Sequence, residues 1–295
     1  MHDEDPIIGV AVINYKKPKL TTSCIMRLLK SENVLVKPVI IDNASGDDSL
    51  AYFKGNIPDI PVLARKENGG YAKGNNDGIS FLLKQDVDFL CILNNDVEIK
   101  PSTLIEMVQA YPTNELAIVG PVILESNSTI IQSAGGMNNL WKGVSWNLHK
   151  GEDLADLHKS DVQEVQPSYI SGAFMFFSPS TYIAAGPLPT AYFLYYEENE
   201  WCVQAQLKGI SVTVFSTISV NHIGSASTGK TSMLTTYLMR RNRALFEKRN
   251  ASRLQFISFL CFLLAHLIRD LLTRRKIGYY KDFLDGMTEN MRIPK

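Results

Sequence analysis

The sequence predicts an α/β fold, a parallel doubly wound central sheet with helices on its faces, followed by a helical C-terminal region. Two observations carry this expectation. Over the first 111 residues, short apolar runs alternate with helix-like stretches, the β-α-β-α order from which parallel sheets are wound. Polar and acidic residues then cluster directly after the apolar runs, at the strand ends where open α/β sheets bind ligands. A chain of 295 residues with 45% hydrophobic content has room for one large core and an appendage.

The first strand is expected over residues 7–13, with a helix near 19–31 after it. A second strand over 38–41 ends on Asp42 and opens the turn DNASGDD; a helix near 47–54 and a third strand over 61–64 follow. An acid in that place suits a hydrogen bond to a ribose or base, although Asp and Asn in such turns also bond their own backbone. Residues 67–78, ENGGYAKGNNDG, put four glycines into a loop entering a helix near 71–84. Glycines let backbone N–H groups approach a phosphate or sugar, and a helix amino terminus favours the anion. The fourth strand, over 89–93, is apolar throughout, as for a strand buried on both faces. It ends on Asn94, Asn95 and Asp96, ahead of a helix near 102–111 for which Ser102 is a candidate N-cap. Residues 137–165 are polar, carry Trp141 and Trp146, and read as an excursion over the surface. Strand-like patterns return at 169–177 and 210–215, and everything after residue 230 reads as helix. The expected division is a sheet domain over 1–235 and a basic, apolar helical region over 236–295.

Lys and Arg number 30, as do Asp and Glu, but the distribution is lopsided. From Tyr237 onward there are 13 basic against 5 acidic residues, which leaves 17 against 25 before it. Such a tail seeks an acidic partner, phosphates or anionic lipid, or forms a solvated basic face. Nucleic acid is not among the expected partners. Cys24, Cys91, Cys202 and Cys261 form no CxxC pair, so neither a zinc cage nor a disulfide framework is indicated, and a reducing cytoplasm is the simplest compartment. The start, MHDEDP, is acidic where a signal peptide would be basic, which points away from export.

Three further segments carry candidate chemistry. In YFLYYEENEW, residues 192–201, helical spacing sets Glu197 and Glu200 on one face and Glu198 about 100° away. Crowded carboxylates raise one another's pKa, which suits a general base, while a helix start pulls the other way. His222, in VNHIG, follows the last strand. Residues 224–231, GSASTGKT, match the P-loop pattern letter for letter, yet a P-loop should be followed by another strand ending in a metal-binding acid, and the remainder reads as helical and basic.

Taken in order, VAVINY, IDNASGDDS, ENGGYAKGNNDG, LNND, SGAFMFF, FLYYEENEWCVQAQLKG, NHIGSASTGK and RRNRALF resemble the family 2 glycosyltransferases, in particular their rhamnosyltransferase-like branch with the GT-A fold. The resemblance covers roughly residues 7–245. It implies an inverting sugar transfer from a nucleotide-diphosphate donor, dTDP-rhamnose or a UDP-sugar, to a glycan or lipid-linked saccharide in cell-surface polysaccharide synthesis. It implies Asn14, Tyr15, Asp42, Asn68 and Gly70 as nucleotide contacts, Asn95 and Asp96 at the diphosphate, and Asp96 as a ligand to Mg²⁺ or Mn²⁺. Asn94 stands where the family's DxD motif has its first acid, which makes His222 the second ligand. The pair EE stands where ED is usual and implies Glu198 as the base. GSASTGK becomes a flap, with Ser225, Thr228 or Lys230 on the diphosphate. The alternatives are a P-loop nucleotide hydrolase, a nucleotidyltransferase and a noncatalytic sugar-nucleotide-binding module.

Residues 253–276 carry an apolar stretch between Arg253 and Arg269, flanked by Arg274, Arg275 and Lys276. It is short for a spanning helix and suits one lying at an anionic membrane surface, which would make the enzyme peripheral at the inner face. The other readings are a helix packed back on the sheet domain and a homodimer seam.

Overall fold

A computed structural model describes residues 5–160, 162–223, 233–273 and 277–292. The GSASTGKT segment, with Ser225, Thr228 and Lys230, lies outside the described residues, as do Arg274, Arg275 and Lys276. The chain runs β1 (Ile7–Asn14), α1 (Pro18–Leu28), β2 (Leu35–Asp42), α2 (Ser49–Asn56), β3 (Val62–Ala64), α3 (Gly70–Leu82), β4 (Phe89–Asn94), β5 (Val97–Glu98) and α4 (Thr103–Ala110). It continues through β6 (Ala117–Glu125), β7 (Ile131–Ser133), β8 (Gly136–Asn139), β9 (Val144–Asn147), α5 (Leu154–Lys159), β10 (Glu164–Val165), β11 (Phe174–Phe177), α6 (Pro179–Ala185), α7 (Glu197–Leu207) and β12 (Ser211–His222). Three helices close it: α8 (Met233–Asn250), α9 (Arg253–Leu272) and α10 (Tyr280–Met287).

The main sheet has the order β10-β12-β6-β11-β4-β1-β2-β3, with β5 beside β12 and β7 beside β6. The parallel block β4-β1-β2-β3 is the one the sequence predicts, and each of its strands ends within a residue of the expected place. The sheet is nevertheless mixed, because β11 enters antiparallel between β4 and β6. The strand β6, buried along nearly its whole length, has no counterpart among the expected strands. Pro121 is the reason: a proline has no N–H to give a ladder and argues against a central strand. The fold accommodates it by a bulge in β12, whose register jumps from Phe215 opposite Pro121 to Ser219 opposite Val122. The same bulge splits β12, so the sequence shows only its first half, up to residue 215.

Both faces of the sheet are covered, which explains the continuous apolar strands. Ala11, Val39, Ile41 and Ile92 pack with Ile79 and Leu82 of α3 and with Trp201 and Ala205 of α7. Val10, Val12, Ile40 and Leu93 pack on the other face with Ile25 of α1, Phe53 of α2 and Leu104 of α4. The helix α3 approaches β1 and β2 closely through Gly78, where a Cβ would stand 2.6 Å from Ile41 Cδ1 and 2.9 Å from Ala11 Cβ. The polar excursion of residues 137–165 contains the two-stranded β8-β9 hairpin, and α8 packs Leu245 and Phe246 against Tyr192 and Tyr196.

Candidate active site

The neighbouring ends of β1 and β2 bring Asn14 and Asp42 side by side. Asn14 Nδ2 donates to Asp42 Oδ1 at 2.8 Å and to Ser45 Oγ at 3.1 Å. Ser45 returns its hydroxyl to Asp42 Oδ1 at 2.6 Å and its backbone N–H to Oδ2 at 3.2 Å. Asn14 and Asp42 are therefore buried inside a satisfied network. Tyr15, 45% exposed, stands at the surface next to it. Asn43 crosses to the Gly-rich loop, donating to Asn68 Oδ1 at 2.9 Å and to the Gly70 carbonyl at 3.1 Å. Together Ile13, Tyr15, Asn43, Asn68, Gly70 and Phe193 line a cavity of about 520 Å³. Of the five residues expected to meet a nucleotide, three thus line this cavity and two stand behind it.

From Asp42 a chain of hydrogen bonds runs to the end of β4. Asn95 Nδ2 donates to Thr21 Oγ1 at 2.8 Å, Thr21 donates to Asn14 Oδ1 at 2.8 Å, and Asn14 holds Asp42. Next to Asn95, Asp96 meets His222, because β5 pairs antiparallel with the end of β12 and sets Val97 opposite His222. His222 Nε2 lies 3.1 Å from Asp96 Oδ1, and its Nδ1 lies 2.9 Å from Gln132 Oε1. Burial alone would raise the Asp96 carboxyl, but the hydrogen bond and charge of His222, with Lys17 behind them, hold it below the ordinary carboxylate range.

This pair fits a divalent cation. Where Nδ1 donates to the Gln132 carbonyl oxygen, Nε2 and Asp96 Oδ1 stand 3.1 Å apart as two donor atoms that one cation could share. Gln132 fixes the ring as outer partners of metal-binding histidines do. Among the described residues no cluster of three or more His, Cys, Asp or Glu could hold a metal, so a cation held here would take two protein donors at most, with a ligand and water in its other positions. One carboxylate and one imidazole suit Mg²⁺ or Mn²⁺.

The segment before α7 is bent sharply: Phe193, Tyr195 and Tyr196 all have positive φ, at 70°, 71° and 78°. Such backbone persists only where its surroundings fix it. Gly70 abuts it from one side, since a Cβ there would collide with the Phe193 carbonyl, and the Tyr71 N–H donates to that carbonyl at 2.7 Å. From the other side, Asn242 of α8 donates to the carbonyls of Tyr192, Leu194 and Tyr195 at 3.0, 2.8 and 2.9 Å, and Arg241 donates to that of Ala191 at 2.7 Å.

The bend leads into the three glutamates, which have different surroundings. Glu200 accepts from Tyr192 and pairs with Arg249 through Nε and Nη2 at 2.9–3.0 Å. Glu197 is buried with Oε2 lacking any partner. Burial and then the charge of Glu198 push its carboxyl well up. Glu200, engaged by Arg249, borders one cavity with Trp201 and Gln204, whereas Glu198 lines a separate cavity of about 530 Å³ with Trp146, Lys150, Tyr169, Tyr195 and Asn199. Burial raises it to about 7, outweighing the backbone N–H groups of the helix start. This cavity and the one at Asn68 lie on two sides of the 193–196 bend.

Thr21, Asn43, Ser45, Gln132, Arg241 and Asn242 were not singled out from the sequence. RRNRALF marked the last two as part of a pattern, but nothing local ties an exposed-looking RRN to a turn 50 residues earlier.

Known proteins resemble this chain in sequence and in fold. A model of the glycosyl transferase family 2 matches residues 9–169, more than half of the chain. The low-salt glycan biosynthesis hexosyltransferase Agl10 of Haloferax volcanii is 23% identical over 288 residues, 95% of this chain and 89% of the relative. The dTDP-rhamnosyl transferase RfbF of Shigella flexneri is 24% identical over 299 residues, 97% of this chain and 95% of the relative. Among solved structures, GalNAc-T7 with UDP, GalNAc and Mn²⁺ superposes with a TM-score of 0.62 at 13% identity, over 94% of this chain and 59% of that one. S. aureus TarS 1–349 in complex with UDP-GlcNAc gives 0.54 at 15% identity, over 95% and 79%. These two likenesses establish the GT-A type of fold, and the family match together with two full-length relatives establishes that the chain belongs to glycosyl transferase family 2.

Proposed function

We propose that this glycosyltransferase moves a sugar from a nucleotide-diphosphate donor to a hydroxyl of a glycan or lipid-linked saccharide by a single inverting displacement, with Glu198 as the base. The observation that carries the reading is that Glu198 faces a cavity with its pKa raised to about 7, whereas Glu200, at a cavity of its own, is held by Arg249. A base poised near neutrality suits proton removal in a transition state. The donor nucleotide is read into the cavity at Tyr15, Asn68 and Gly70, its orientation set by the Asn14–Asp42 network behind it. Asp96 and His222 would hold a divalent ion, which when bound supplies charge neutralisation for the departing diphosphate.

In the transfer itself, the acceptor oxygen forms a bond to the anomeric carbon as its proton passes to Glu198. The bond from that carbon to the β-phosphate oxygen breaks, and the nucleoside diphosphate leaves with the electron pair. Inversion requires the acceptor oxygen to attack the anomeric carbon on the face opposite the leaving diphosphate, and the 193–196 bend, which lends residues to both cavities, is where the two reactants would meet. A P-loop hydrolase is disfavoured because only helices follow residue 232 among the described residues.

The test is calorimetry with a panel of UDP- and dTDP-sugars, with and without Mn²⁺, followed by NMR of the product's anomeric configuration. Retained configuration, or full turnover by Glu198→Gln, would overturn the mechanism.

A further inference from the structure

The helix α9 is twenty residues long, and Phe259 and Asp270 are its only fully buried residues. Its outward face is apolar from end to end: Leu254, Ile257, Leu264, Ile268, Leu271 and Leu272 are 49–80% exposed. A contiguous apolar surface of this kind marks an interaction site. At about 30 Å, the helix is long enough to cross a bilayer. Its inner side keeps it from doing so. Phe259 packs with Ala244 of α8 and Phe283 of α10, and Asp270 is buried while accepting from Tyr279 and Tyr280. Leaving that seat would carry an acid into hydrocarbon.

The outward residues recur at 254, 257, 261, 264, 268 and 271, the heptad spacing of a coiled-coil seam. The positions beside that seam, however, are Arg253, Ser258, Leu260, Ala265, Leu267 and Leu272, with a single charge at the helix start where a two-stranded coil in water carries charges throughout. The face is broader and more apolar than such a seam. Its surroundings fit lipid: Arg253 opens the helix, Arg269 lies in its last turn, and the region from Tyr237 holds 13 basic against 5 acidic residues. Trp141, 52% exposed at the turn of the β8-β9 hairpin, stands beside the helix, its carbonyl accepting from Ser258 Oγ at 2.9 Å. Exposed tryptophan next to an apolar face is a mark of the membrane–water boundary.

We propose that α9 lies in the interface of an anionic bilayer, with its apolar face among the acyl chains and Trp141 at headgroup level. The hairpin that carries Trp141 also contributes Ser145, Trp146 and Asn147 to the Glu198 cavity. Docking by α9 therefore sets that cavity at the membrane surface. If the cavity receives the acceptor, as read above, the acceptor class it favours is a saccharide carried on a lipid; the docking itself does not depend on that assignment.

The experiment uses the full chain and vesicles of phosphatidylcholine with or without phosphatidylglycerol, in flotation at low and high salt. The wild type floats with the anionic vesicles at low salt and much less at high salt. The double variant Leu264→Glu, Ile268→Glu, changed only at exposed positions, partitions at least about tenfold more weakly, while its UDP-sugar binding is unchanged. Brominated phosphatidylglycerol quenches tryptophan emission in the wild type, and Trp141→Phe removes most of that quenching. Failure of the wild type to float, or equal flotation of both proteins, would sink the proposal. So would self-association of the wild type in sedimentation that the variant loses, without vesicle binding, since that would assign the face to a second copy. An active Glu198→Gln enzyme would remove only the acceptor class and leave the docking standing.

Discussion

Asn242 holds Tyr195: its side-chain amide donates to the Tyr195 carbonyl at 2.9 Å, within a bend of positive φ that ends at Tyr196, one residue before Glu197 and two before Glu198. The same amide serves Tyr192 and Leu194, so one buried side chain fixes three peptide units of the wall between the two cavities. The helix α8 is in this respect part of the site. We expect Asn242→Leu to lose about 1–3 kcal/mol of stability from unpaired carbonyls. Turnover of the protein that remains folded should fall at least about tenfold, because misplacement of a base costs rate out of proportion to distance. Denaturant unfolding and active-site titration separate the two effects. A destabilised variant with wild-type turnover per folded molecule would show that the bend needs no help from α8.

Glu198→Gln should keep donor affinity and lose at least about 10²-fold in transfer. In the wild type, the raised Glu198 must be ionised to accept a proton. Activity should therefore climb as pH rises through about 7 and level off above it. The profile of kcat/KM is the measurement, and a profile flat from pH 5 to 9 would remove Glu198 from the role of base.

Glu197 makes the opposite kind of contribution. Its folded-state carboxyl is raised above its unfolded value of about 4.5 by burial, so the fold prefers it protonated. Stability from this group is fully present below the unfolded value and declines as pH rises toward the folded one. Glu197→Gln removes the penalty. We expect it to raise Tm more at pH 8 than at pH 5 and to retain transfer activity. A variant destabilised at pH 8, or one as inactive as Glu198→Gln, would contradict this division of labour.

At the other end of the site, Asp96→Ala should leave the fold intact, since Asp96 is a half-buried strand-end acid outside the core. It should abolish the gain in UDP affinity that Mn²⁺ confers, measured by calorimetry with and without the ion. An undiminished Mn²⁺ effect would separate Asp96 from any cation.

How much of this was legible in the sequence follows from how local each feature is. Runs of apolar residues ending in Asp42 or Asp96 are local, so β1 to β4 and their polar ends read correctly, as did the glutamates opening α7. Which glutamate is left without a fixed partner at a cavity is not local: Arg249, 49 residues on, engages Glu200, and the unpartnered burial of Glu197 appears only in three dimensions. The strand β6 was hidden by Pro121, whose cost is met by a bulge in another strand. The tie between Asn242 and Tyr195 joins two segments that propensity treats as unrelated.

Thr21 shows the same non-locality at a single hydroxyl. It is fully buried, accepts from Asn95 and donates to Asn14, which in turn holds Asp42. The ends of β4 and β2, read here as the diphosphate and nucleoside ends of the donor site, are thus joined through one side chain. Thr21→Val keeps the shape and removes the hydroxyl. It leaves Asn14 Oδ1 without its Thr21 donor and Asn95 without its acceptor, at a cost of about 1–3 kcal/mol. A looser Asn14–Asp42 pair should weaken donor binding about tenfold, with the acceptor KM little changed, because the Glu198 cavity does not share these residues. Thr21→Ser should restore donor affinity, since it restores the hydroxyl. Equal loss in the valine and serine variants would trace the effect to packing of the missing methyl or to backbone adjustment, and would break the proposed link between the two ends.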